Sequence, residues 1–173
     1  MASLYDEVCL RAFPDDDAVV SLLKARGARE MSAEDVKVTM NDDPARGWTL
    51  PGEFTTVWLE FPPYHACSVR WNSSQMPNTQ AYVALRDAFA KGHARSGSIT
   101  EQTFEKDLQQ LHIKASVTAF QPKSDEGGDG AQAESLLLIT QSINNPGRRA
   151  IGETGYVVRM VHQRYSPAAT TGD

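Results

Sequence analysis

Hydrophobic positions change period several times along this chain, and the changes mark its elements. From Ser3 to Phe13, Leu4, Val8 and Ala12 recur every four residues, with Tyr5, Cys9 and Phe13 one step round. This predicts a short helix with a broad apolar face and Cys9 turned inward. Pro14 breaks it, and Asp15-Asp16-Asp17 supplies a cap and first-turn negative charge for a second helix carrying Val19, Val20, Leu22 and Leu23, with Gly27 as its stop. Three adjacent carboxylates at a helix start do not converge on one ion, so no metal site is read there. Val36, Val38 and Met40 then alternate with Lys37 and Thr39, which predicts a half-buried strand, and Asn41 to Trp48 reads as turn chemistry.

The stretch Phe54 to Trp71, FTTVWLEFPPYHACSVRW, holds two strand patterns around Pro62-Pro63. Thr55, Val57, Leu59 and Phe61 share one face, and Phe54, Thr56, Trp58 and Glu60 the other. On the returning strand Cys67, Val69 and Trp71 face inward, with Ser68 and Arg70 outward. A helix capped by Asn78 or Thr79 follows, with Tyr82, Leu85 and Phe89 on one face. Ser98 to Glu101 has the capping-box pattern, and Phe104, Leu108 and Leu111 have helical spacing, predicting another helix. Ile113 to Ala119 alternates as a strand. Lys123 to Ala133 is a loop, Leu136 to Ile139 an apolar run, and NNPGRRAIGETG leads into a final strand from Tyr156 to Tyr165.

The expected architecture is α+β: one antiparallel sheet of about five to six strands with helices packed on one face, forming a single domain over residues 1–165, and a disordered tail over 166–173. A chain of 173 residues with 40% hydrophobic content is long enough for one real core. The net charge of -5 and the scattered basic residues exclude nucleic acid as the expected partner. No apolar run reaches a membrane span. The opening MASLYDEV has neither a charged nor an apolar leader region, which fits a cytoplasmic protein or the mature part of an exported one.

Candidate chemistry is sparse. Cys9 and Cys67 are both expected to point into the core, where they form a disulfide in an exported protein or two buried thiols in the cytoplasm. A third reading makes Cys67 a nucleophile beside His65, but two residues along a strand leave them nearly 7 Å apart. His93, His112 and His162 have no metal-ligand spacing, and EGGDG at Glu126 to Gly130 lacks the carboxylate pattern of a calcium loop and the ending of a phosphate loop. No serine lies in a G-x-S-x-G context. The reading names no catalytic residue, metal or cofactor. Among the aromatic residues of the middle third, Trp71 is assigned to the core, and Trp58, Glu60 and Tyr64 are the candidate binding residues.

EVCLRAF (Glu7 to Phe13) followed by HACSVRW (His65 to Trp71) resembles a group of small exported proteobacterial proteins that carry one cysteine in the first mature helix and one in a central strand. The resemblance covers the first half of the chain. It implies an envelope location and a Cys9–Cys67 disulfide, and it supplies no activity. The expected function is a non-enzymatic periplasmic or secreted domain that binds a protein partner or a small ligand, with an inhibitor or immunity-type partner as one version. The alternative is a hydrolase or transferase assembled in three dimensions around His65, Cys67 and Glu60.

Overall fold

The computed structural model describes residues 1–52, 54–62, 64–93, 97–108, 110–122, 133–143 and 155–165. The expected tail and most of the Lys123 to Ala133 loop lie outside them, as does the stretch before Gly155. Helix α1 (Ala2–Tyr5) continues as a π-helical segment over Asp6–Ala12. Helix α2 (Asp16–Ala25) is capped as the sequence suggests, with Asp15 Oδ1 accepting from the Ala18 amide at 3.0 Å and Asp16 and Asp17 in the first turn. Strand β1 (Arg29–Glu30), helix α3 (Ala33–Met40) and strands β2 (Ala45–Thr49), β3 (Thr55–Glu60) and β4 (Tyr64–Ser73) follow. Then come helix α4 (Gln80–His93) and strands β5 (Gly97–Leu108), β6 (Leu111–Pro122), β7 (Ala133–Ile143) and β8 (Tyr156–Tyr165).

All eight strands belong to one antiparallel sheet in the order β1-β2-β3-β4-β8-β7-β6-β5. The expectation of five to six strands is corrected to eight, for three local reasons. Gly97–Leu108 is an edge strand rather than a helix. Residues four apart share a strand face as well as a helix face, so Phe104 and Leu108 fit both, and pairing along all of β6 decides for the strand. Ala45–Thr49 pairs with β3 and adds a strand where a turn was expected, and β1 is new. In the opposite sense, Val36 to Met40 is helical. Ser32 Oγ caps α3 by accepting from the Asp35 amide at 3.1 Å, and Asn41 closes it in the left-handed region at φ 53. Only Val36 is buried, while Val38 is 78% exposed.

The main core lies between the sheet and α1, the π segment, α2 and α4. Tyr5, Val8, Cys9, Val19 and Leu23 from the helices meet Trp48, Val57, Leu59, Cys67, Val69 and Met160 from the strands. Each such fully buried aliphatic side chain contributes about 1.5–3 kcal/mol of transfer free energy. Trp71 packs against this cluster from its margin. The expectation that the helices occupy one face is also corrected. Met40 and Thr39 of α3 line a cleft with Trp58, Arg70 and Arg159, whose positions alternate with the core-facing Val57, Val69 and Met160, so α3 covers the opposite face.

Candidate binding site

On the α3 side of the sheet, Trp58 and Glu60 of β3, Ser68 and Arg70 of β4 and Arg159 of β8 share one face. Arg70 and Arg159 lie directly opposite each other. Arg159 is engaged twice, with Nε donating to Ser68 Oγ at 3.1 Å and a terminal nitrogen donating to the Glu60 carboxylate. Ser68, expected to look outward into solvent, is buried beneath this contact. Burial pushes the Glu60 carboxyl above its usual value; Arg159 opposes that rise and Asp43 adds to it.

Arg70 has no such partner. Among the described residues no carboxylate or other acceptor bonds its guanidinium, and burial followed by repulsion from Arg159 lowers its pKa. Trp58 is 3% exposed, with its ring against Gly47 and Nε1 donating to Thr56 Oγ1 at 2.9 Å. A cleft of about 200 Å³ lies between Thr39 and Met40 of α3 and the side chains of Trp58, Arg70, Val157 and Arg159. A second, of about 310 Å³, shares Thr39, Trp58 and Arg70 and runs toward Met31 and Phe54.

The structure therefore brings Trp58 and Glu60 onto one face, with Trp58 as a wall of the clefts rather than an exposed aromatic. Tyr64, 54% exposed, lies beyond Ala66, the residue opposite Glu60, and stacks on Tyr165 at a centroid distance of 5.3 Å. The two arginines were missed as a pair. Strand alternation already set Arg70 on the Trp58 face, but only the β4–β8 register places Arg159 against it.

On the helix side Cys9 and Cys67 are joined in a disulfide, with S–S 1.95 Å and Cα–Cα 5.3 Å. In this state Cys67 has no thiolate to attack a substrate. His65, the other member of the tempting pair, places Nε2 at 2.9 Å from Asp16 Oδ1 at the start of α2. Beside the disulfide lies a buried polar cluster that only tertiary contact assembles. Glu134 Oε1 accepts from His162 Nε2 at 2.7 Å and from Arg164 Nε at 3.0 Å, and Oε2 is 2.9 Å from His93 Nε2. His162 Nδ1 faces the Cys9 carbonyl at 2.6 Å, so both nitrogens of this ring meet acceptor oxygens. Burial disfavours the ionised Glu134, but the hydrogen bond and charge of His162, then those of Arg164, outweigh it and lower the carboxyl to about 2.

Two further surfaces complete the picture. A cleft of about 450 Å³ separates Met76 and Pro77, ahead of α4, from Lys114, Leu138 and Tyr156 on the sheet. On the α3 side, the β5–β7 part of the sheet carries exposed Phe104, Leu108 and Leu111 and half-buried Ile113, Val117 and Ile139. No helix among the described residues is long and apolar enough to cross a membrane, and no group of three or more His, Cys, Asp or Glu among them is placed to hold a metal ion. Compared with known families, curated proteins and solved structures, the chain matches none.

Proposed function

We propose that the protein is a non-catalytic binding domain of the periplasm or the extracellular space that engages a protein partner through the apolar sheet face over β5–β7. The observation that carries this reading is the group of apolar side chains on the side away from α1, α2 and α4, where Phe104 is 54% exposed and the cross-strand pair Leu108 and Leu111 is exposed beyond Lys106 on the same face. Exposed apolar side chains grouped in this way suit a partner surface better than solvent. The disulfide supports an oxidising compartment, because such bonds persist there and are rare in the cytoplasm. It also weakens the alternative of a hydrolase or transferase built around His65 and Cys67, since the sulfur is already committed. Trp58 and Glu60 lie on the same face of the sheet, toward its other edge. An inhibitor or immunity-type role is the version in which the partner is an effector protein.

The test is recovery of partners from the native envelope with the wild-type protein and with Phe104→Asp, whose exposed position leaves the core untouched. One stoichiometric protein retained by the wild type and lost by the variant, at unchanged melting temperature, supports the reading. Identical recovery by both proteins, or no stoichiometric partner, overturns it.

A further inference from the structure

We propose that the cleft between α3 and the sheet binds a small amphipathic anion, with its carboxylate or phosphate on Arg70 and its apolar part against Met40, Val157 and Ile139. This site adjoins the protein-partner face at Ile139 but centres on Arg70 of β4, and either reading can fail without the other.

Charge comes first. Two arginines stand opposite each other across β4 and β8, and among the described residues Glu60 bonds Arg159 and not Arg70. Like charges placed directly across a sheet destabilise it, and among the described residues no carboxylate offsets that cost at Arg70. Burial and Arg159 both disfavour its charged form, which an incoming anion would reverse. Arginine presents a planar fork of donors that matches a carboxylate or phosphate in two parallel hydrogen bonds.

Shape and lining supply the second half. Arg70 stands where the two clefts meet, since both are lined by Thr39, Trp58 and Arg70. Around that charge the first cleft has apolar walls from Met40, Trp58, Ile139 and Val157, and Thr39, Gln141 and Arg159 are its further polar groups. Small-ligand sites typically have this character, an apolar lining with a few polar groups that fix orientation. A ligand without a charge would leave Arg70 half-buried and without a carboxylate or phosphate, whereas one without an apolar part would leave the Met40 and Val157 walls wet.

Octanoate and octyl phosphate are the probes, with acetate, inorganic phosphate and octanol as the matched compounds lacking a chain or a charge. Binding is read by calorimetric titration and by the resonance of the Trp58 indole N–H in the full chain. At least one octyl anion is expected to bind saturably and at least tenfold more tightly than any of the three matched compounds, and the preferred head group separates a carboxylate from a phosphate ligand. Arg70→Gln is expected to weaken that binding at least tenfold while leaving the melting temperature unchanged or higher, because it removes a repulsion. Arg70→Lys, which keeps the charge, is expected to bind between the two. Octanol binding as tightly as the anions, absence of saturable binding by either octyl anion, undiminished binding by Arg70→Gln, or a lower melting temperature for that variant would each overturn the proposal.

Discussion

His162 Nδ1 donates to the carbonyl oxygen of Cys9 across 2.6 Å, so a side chain of β8 holds the backbone of the same half-cystine whose sulfur is bonded to Cys67 of β4. The amino-terminal segment is thus fastened to two neighbouring strands through one residue. The covalent part closes a loop of 58 positions, for which loop-closure entropy gives roughly 4 kcal/mol. Replacing both cysteines by serine is expected to lower the melting temperature by about 10 °C in a chain of this size, as measured by scanning calorimetry. A melting temperature equal to that of the parent would remove the structural role of the disulfide.

Glu134 sets an acid limit on stability. Its carboxyl is lowered from 4.5 to about 2 in the folded chain, so between those values the unfolded state binds the extra proton and stability rises with pH. The contribution, on the order of 3 kcal/mol, is complete above the unfolded value and is lost as pH falls through about 4.5 toward 2. Denaturant titrations across that range are expected to show the slope in the parent and a flatter profile in Glu134→Gln, which also leaves His162 and Arg164 without their carboxylate. Parallel profiles would show that the carboxylate carries no such linkage.

Gly47 is fixed by the Trp58 ring rather than by its backbone. A Cβ at this position would stand 2.7 Å from Cζ3 and 2.9 Å from Cε3 of Trp58, with the Met31 sulfur at 3.0 Å. The sulfur can move, whereas the indole is held by its bond to Thr56. Gly47→Ala is therefore expected to cost about 1–3 kcal/mol through overpacking. The Trp58 near-ultraviolet circular dichroism should change with it, and unaltered stability and spectrum would mean that the ring has room to give.

What could be read from the sequence divides along the range of the interactions. The final strand, Tyr156–Tyr165, and the start of α2 at Asp15 were legible because alternation and capping are local signals. Val36, Val38 and Met40 show how a local signal misleads, since three alternate positions also fit two turns of helix. The deciding marks are Ser32 and Asn41 at its ends, the first as N-cap and the second closing the helix in the left-handed region. For β5 no local mark decides, because its identity rests on pairing with β6 along its whole length. The site followed the same rule. Trp58 and Glu60 could be placed on one face of a strand, but Arg159 lies 89 positions from Arg70 in sequence (159 minus 70) and reaches it only through the insertion of β8 beside β4.

That insertion has a consequence for the order in which the molecule is made. The strands before α4 form one meander and β5–β7 form another, and they share no strand-to-strand pairing until β8 enters between β4 and β7, with ten paired positions on either side. As the chain emerges from the ribosome, each meander can gather its neighbours, and Cys9 and Cys67 are both available within the first. The sheet as a whole waits for residues 156–165. Until they arrive, β4 and β7 are two open edges of the same nascent chain, competent to pair wrongly with each other or with a neighbouring molecule. The last of the described strands to be synthesised is therefore the keystone of the sheet and the guard against its misassembly.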